Sequence, residues 1–136
     1  MIIDAKNAVA GRLASSVAKK LLKGEKIIII NCEHAIITGD PQTTRNKYAE
    51  IRARGSPQHG PFFPKRPDLM LRRIIRGMLP YKTGSGRSAM KRLKIFIGFP
   101  KYAEGKHFMI PEGAVKEVKT KYITIGNLAK SIGWRA

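Results

Sequence analysis

A single cysteine, Cys32, in 136 residues excludes a disulfide within the chain and suits a reducing compartment. Histidine is nearly as scarce, with His34, His59 and His107. Cys32 and His34 are the one close pair of metal-type side chains, and the paired spacings of a zinc ribbon or zinc finger are missing, so neither metal nor cofactor is expected. The longest pure aliphatic run, Ile27–Ile30, is far short of the ~20 residues that cross a bilayer as a helix. The opening MIIDAK sets Asp4 where an export signal is basic and then apolar, so the expectation is a soluble, cytoplasmic protein without a membrane partner. The most telling shortage is of acid. Nine aspartates and glutamates face 27 lysines and arginines, a net charge of +18. A surface so unbalanced repels its own copies, which argues against a homo-oligomer, and calls for a polyanion.

The imbalance is local. Residues 1–44 hold six basic and four acidic side chains and residues 102–136 hold six and three, whereas residues 45–101 hold fifteen and two. The flanks read as ordinary folded protein, and a 43% apolar content is enough for a buried core in one domain spanning 1–136.

Ile2 to Asp4 is a short apolar start. Leu13, Val17 and Leu21 then recur every four residues, with Ala10, Ala14, Ala18 and Leu22 filling the same side, which predicts an amphipathic helix closed by Gly24. Lys26 to Asn31 is a continuous β-branched run, the pattern of a strand covered on both faces in a parallel sheet. Strand, helix and strand in this order form a βαβ unit. A further short apolar piece, Ala35 to Thr38, precedes the turn Gly39-Asp40-Pro41, where Asp40 is placed as N-cap and Pro41 at the first position of a helix running to about Arg54.

Between about 55 and 66 lies "GSPQHGPFFPKR", an irregular basic loop with no pattern of its own. Its prolines limit the entropy lost on docking. Phe62 and Phe63 either stack on unpaired bases or tuck under the loop as a satellite core. The loop is expected to become ordered against its partners. Pro67-Asp68 opens the next helix, with Leu71, Ile74, Ile75 and Met78 on one side and Arg72, Arg73 and Arg76 on the other. Leu79-Pro80 ends it. "YKTGSG" reads as a flexible turn, and from Arg87 a short helix sets Arg87, Lys91 and Lys94 on one face. Lys94 to Gly98 is the last buried strand expected, making four in all, and 99–114 is irregular. Near the end, Ile125, Leu128, Ala129 and Ile132 follow helical spacing behind Thr124 as N-cap, with Gly133 closing the helix and Trp134 as a packing anchor.

The arginines of the basic middle are Arg45, Arg52, Arg54, Arg66, Arg72, Arg73, Arg76, Arg87 and Arg92. Their planar forks grip phosphate with two parallel hydrogen bonds or stack on bases, which suits folded RNA. Lys47, Lys65, Lys82, Lys91, Lys94 and Lys101 complete the patch. Of the two acids inside it, Glu50 is placed to pair with Arg54, and Asp68 sits at a helix N-terminus, so neither neutralises much. Arg12, at the start of the first helix, adds a further contact where a helix N-terminus also favours phosphate.

Enzymatic signals are weak. "GSGRSA" (Gly84 to Ala89) matches the letters of a dinucleotide fingerprint but follows "LPYKT" rather than a buried strand. Asp4 lies where α/β enzymes often place a carboxylate, and a structural hydrogen bond accounts for it equally. No nucleophile, base pair or metal cluster accompanies it, so no catalytic residue is assigned. An RNA-processing or nucleotide-dependent enzyme on a Rossmann-like sheet remains the rival from another class, and a regulatory RNA-binding protein is a third reading.

Four stretches in order, "GRLAS" (Gly11 to Ser15), "INCEHAIITG" (Ile30 to Gly39), "RGMLPYKTGSGR" (Arg76 to Arg87) and "KRLKIFIGFP" (Lys91 to Pro100), together resemble the universal large-subunit ribosomal protein family numbered thirteen. "GPFFPKRP" and "TIGNLAKSIGW" resemble its archaeal and eukaryotic branch. The resemblance implies an α/β domain of three layers, α/β/α, around a small, mainly parallel four-stranded sheet. It further implies binding to large-subunit ribosomal RNA beside neighbouring ribosomal proteins, a role in subunit assembly and translation, and no catalysis. Where bacterial members carry a His-Pro-His-like stretch after the last strand, this chain has Phe99-Pro100-Lys101-Tyr102, so no role of those histidines carries over.

Overall fold

The computed structural model describes residues 1–56, 58, 60, 63–101 and 120–135. Phe62, His59, His107 and most of the irregular segment expected over 99–114 lie outside the described residues. The elements run β1 (Ile2–Asp4), α1 (Ala10–Leu22), β2 (Ile27–Ile30), a 3-10 turn (Cys32–His34), β3 (Ile36–Thr38), α2 (Pro41–Ala53), α3 (Pro67–Gly77), α4 (Gly84–Lys91), β4 (Leu93–Ile95), β5 (Tyr122–Thr124) and α5 (Ile125–Ser131).

The βαβ unit forms as its sequence requires. β1 and β2 pair in parallel with Ile2 opposite Ile28, β2 pairs in parallel with β4 with Ile28 opposite Lys94, and the order is β1-β2-β4. The α/β class and the mainly parallel sheet therefore stand, but the strands divide differently from a single sheet of four. β3 leaves the parallel sheet and pairs antiparallel with β5, Ile37 opposite Ile123. The cause is local. Asn31 adopts φ 55°, the 3-10 turn follows at once, and the chain leaves the β2 line before β3 begins. β3 is fixed at its other edge when the Ile36 N–H donates to the Ala8 carbonyl at 2.8 Å.

Period-two alternation across the parallel sheet splits its side chains. Ile3, Ile27, Ile29 and Leu93 join the main core with Leu13, Val17 and Leu21 of α1, Met70, Leu71 and Ile75 of α3, and Ile125 and Leu128 of α5. Each such fully buried aliphatic contributes roughly 1.5–3 kcal/mol. Ile2 and Ile30, with Ile28 packed on them, form a second small cluster on the opposite face. Among the described residues that cluster contains strand residues alone.

α1 buries Ala10, Leu13, Ala14, Val17, Ala18 and Leu21. Leu22, expected on the same stripe, is 46% exposed; it is the last helical residue, one step round the axis from Leu21, and falls off the packed face. α5 starts behind Thr124, whose Oγ1 accepts from the Asn127 N–H at 3.2 Å. It lies so close to the 3-10 turn that a Cβ on Gly126 would stand 3.1 Å from the Glu33 carbonyl oxygen.

α4 begins three residues earlier than its composition predicts. Thr83 caps it, its Oγ1 accepting from the Gly86 N–H at 3.3 Å. A Cβ at Gly86 would overlap the Pro80 carbonyl, so this glycine serves a close backbone approach, and "GSG" is helical rather than a flexible turn. Lys94, expected both on the helix face with Arg87 and Lys91 and at the start of the last strand, stands on that strand, β4.

Candidate nucleic-acid interface

α3 sits at the middle of the basic third. Pro67 occupies its first turn, Asp68 lies beside it, and Met70, Leu71 and Ile75 are buried. The separation of faces differs from the sequence expectation in two ways. Met78, expected to pack, is 44% exposed, because it stands at the C-cap where the helix ends. Arg72, expected to face outward, turns inward: its Nη1 donates to the Leu93 carbonyl at 3.1 Å and its Nη2 to the Met90 carbonyl at 3.2 Å. It thereby ties α3 to the α4–β4 corner.

Arg73 and Arg76 stay outside but are not loose. The Arg73 guanidinium lies 5.2 Å from the centroid of the Phe63 ring, and that of Arg76 lies 4.7 Å from the centroid of Tyr81. Cation–π contact holds each through its face and leaves the N–H edge available. Neither makes a hydrogen bond or ion pair with the described residues. Tyr81, 40% exposed, is a residue that sequence reasoning misses; its one signal is its place directly after a helix whose last turn carries Arg76.

α2 has a cap but little anchorage. Asp40 Oδ2 accepts from the Thr43 N–H at 3.1 Å and from Thr43 Oγ1 at 2.9 Å, and these bonds, the backbone one foremost, hold its carboxyl below the usual carboxylate range. No residue of α2 is fully buried. What returns the following segment to it is Phe63, whose ring lies 5.5 Å from that of Tyr48 and whose carbonyl accepts from Arg52 Nη1 at 2.8 Å. Phe63 also packs against the main core. Within the loop, Ser56 and Gly60 exchange backbone bonds of 3.1 and 2.9 Å, with Gly55 and Gly60 at φ 88° and 77°. The loop thus carries a bridge of its own.

The predicted cations divide by what their donors already do. Arg52, Arg72 and Arg92 serve internal carbonyls, Arg92 Nη2 reaching Leu21 O at 2.6 Å, at the C-terminal end of α1 where a cation is favoured. Arg54 pairs with Glu50 at 3.1 Å, as the spacing predicts, and Arg66 with Asp68 at 3.0 Å. Arg87 makes one long contact, 3.5 Å to the Lys82 carbonyl. Arg12, Arg45, Lys47, Lys65, Lys82, Lys91, Lys94 and Lys101 make no hydrogen bond or ion pair with their side chains among the described residues, and all but Arg45 are exposed. Unspent charge is thus concentrated on α2, the outer face of α3 and the α4–β4 corner.

Asp4 serves the structure: its Oδ1 accepts from the Lys6 N–H at 3.0 Å and from Asn31 Nδ2 at 3.1 Å, joining the ends of β1 and β2. "GSGRSA" follows a turn rather than a strand, contrary to what a dinucleotide fingerprint requires. Among the described residues no three His, Cys, Asp or Glu side chains gather closely enough to hold a metal, and no helix is long and apolar enough to cross a membrane.

Comparison with known proteins agrees with the four stretches that carry the sequence resemblance. The family model described as Ribosomal protein L13 matches residues 1–102. A large ribosomal subunit protein uL13 of Methanopyrus kandleri is 47% identical over 98% of this chain and 87% of its own length. Proteins of the same name from Methanococcoides burtonii and Methanosarcina barkeri are 46% and 47% identical, each over 97% of this chain and 96% of theirs. These relatives are archaeal, in keeping with the branch that "GPFFPKRP" and "TIGNLAKSIGW" resemble. With three quarters of its length under the family model and nearly all of it aligned to such relatives, the chain belongs to the ribosomal protein L13 family.

Proposed function

We propose that this chain is a structural constituent of the large ribosomal subunit that binds large-subunit ribosomal RNA and supports subunit assembly, working in the cytoplasm as part of the ribosome. The family is structural rather than catalytic. The observation that carries the reading is the excess of cations on a member of this family: fifteen basic side chains stand against two acids over residues 45–101, both acids, Glu50 and Asp68, are already paired, and most of the basic side chains are spent neither on those acids nor on internal carbonyls. Isolated, such a belt repels itself; against converging phosphates it is neutralised.

The helices divide the work. α1, α3 and α5 bury apolar faces and form the body, whereas α2, with no fully buried residue, gains little from packing and draws its stability from its cap and from what it lies on. In this reading Arg45 and Lys47 of α2, Arg73 and Arg76 of α3, and Lys82, Arg87, Lys91, Lys94 and Lys101 contact RNA directly. Arg52, Arg72 and Arg92 hold the supporting surface in shape. Neighbouring ribosomal proteins take up exposed surface away from the belt.

Sucrose-gradient sedimentation of a native extract, washed in high salt and probed for this chain, tests the assignment. Retention with the large subunit is expected; migration confined to light fractions would refute it.

A further inference from the structure

Between the outer face of α3 and α4 lies a groove of about 240 Å³ lined by Pro64, Leu69, Arg72, Arg73, Arg76 and Met90. Its lining is of two kinds. Pro64, Leu69 and Met90 make it apolar, and Leu69 is 41% exposed into solvent, unlike the buried leucines of the core. The remaining three are cations, with no acid among them. Arg72 is engaged inward with the Met90 and Leu93 carbonyls. Arg73 and Arg76, three residues apart and so neighbours on one helix face, are oriented by Phe63 and Tyr81 and donate to nothing described.

An apolar recess beside two preoriented guanidinium forks matches something flat and apolar joined to an anion. We propose that this groove receives a single unpaired RNA base, laid against Leu69, Pro64 and Met90, while Arg73 and Arg76 clamp the phosphate next to it. The inference deepens the RNA-binding reading above and rests on it. The volume favours one base, being below the roughly 300–1,000 Å³ of pockets that hold drug-sized ligands. A duplex offers no free base face, because its bases are already stacked, whereas a bulged nucleotide is splayed out and carries its own phosphate. The ring contacts also restrict both arginines before binding, so less side-chain freedom is lost when the phosphate arrives.

The test compares two short RNA hairpins of the same stem, one with a single bulged nucleotide and one without, binding to the full chain and read by fluorescence anisotropy across a salt series. The bulged hairpin is expected to bind about fivefold tighter or more, the gain of one stacked base. Leu69→Trp, which fills the recess from an exposed position and leaves every arginine in place, is expected to erase that preference while keeping affinity for the plain hairpin and its salt slope. Equal, salt-sensitive affinity of the unmodified chain for both hairpins would overturn the base pocket and leave the groove to a side chain of a neighbouring protein. Absence of salt-sensitive binding to either would overturn the RNA reading itself, and the pocket with it.

Discussion

Arg72 and Arg76 lie on the same helix and look equivalent in sequence, yet their replacement should fail in opposite ways. Arg72→Met keeps most of the aliphatic stem and removes the two bonds to the Leu93 and Met90 carbonyls, at 3.1 and 3.2 Å. Hydrogen bonds from a charged donor contribute about 1.5–3 kcal/mol each. Arg72 is half-buried, so water reclaims the carbonyls in part, and a total loss of about 2–3 kcal/mol is reasonable. For a chain of this size each kcal/mol lowers Tm by about 3–5 °C, giving a drop of roughly 6–15 °C. Arg76→Gln removes a guanidinium that rests on an exposed tyrosine, and Tm should move by no more than a few degrees. Its effect should fall on binding: the slope of log affinity against log salt should lessen by about 1, one phosphate contact. Circular-dichroism melts and filter binding to large-subunit RNA read both quantities on the same samples. If Arg72→Met melts like the parent chain and loses RNA affinity as Arg76→Gln does, the inward role of Arg72 is refuted.

Gly86→Ala sets a Cβ into the Pro80 carbonyl, backbone that cannot swing aside, and should cost about 2 kcal/mol in urea unfolding; Gly84→Ala, with nothing within 4 Å, should be neutral or slightly stabilising. Asp40 has a folded pKa below its ordinary value because Thr43 donates to it, so its contribution is complete above that ordinary value and is lost as pH falls through the lowered one. The Tm gap between the parent and Asp40→Ala should therefore be constant near neutrality and close below about pH 4, while Asp40→Asn should keep much of the cap. Burial above all, then the charges of Glu33 and Asp68, push the Cys32 thiol far up. A disulfide reagent should accordingly label the native chain orders of magnitude more slowly than the urea-unfolded one, and comparable rates would contradict the burial of Cys32.

What can be read from the residues follows the strength of the local signal. The β1–α1–β2 unit is legible because its apolar periods are long and unambiguous, and the caps at Asp40 and Thr124 because oxygen-bearing side chains stand directly before helical runs. The antiparallel pair is hidden because β5 is three residues, Tyr122–Thr124, too short to show alternation, and its pairing with β3 spans most of the chain. The start of α4 is masked by two glycines that composition assigns to a turn; their helical state depends on Thr83 and on the tight approach of Pro80. The charge of the candidate interface is plain, but its division is not. Whether an arginine is spent inward, as Arg72 and Arg92 are, or left outward, as Arg76 is, depends on which carbonyls the fold brings near. Phe63 shows the same limit: the loop composition leaves stacking and packing open, and its contacts with Tyr48, Arg52 and the core are tertiary.

The central claim is that α2, the outer face of α3 and the α4–β4 corner lie against RNA in the large subunit. The most direct measurement is ultraviolet cross-linking of intact large subunits followed by mass spectrometry of the RNA-bearing peptides of this chain. Adducts are expected on peptides from α2 and α3 and on the peptide containing Tyr81. Adducts confined to the α1 peptides around Lys19, Lys20 and Lys23, which stand outside the concentrated belt, would contradict it.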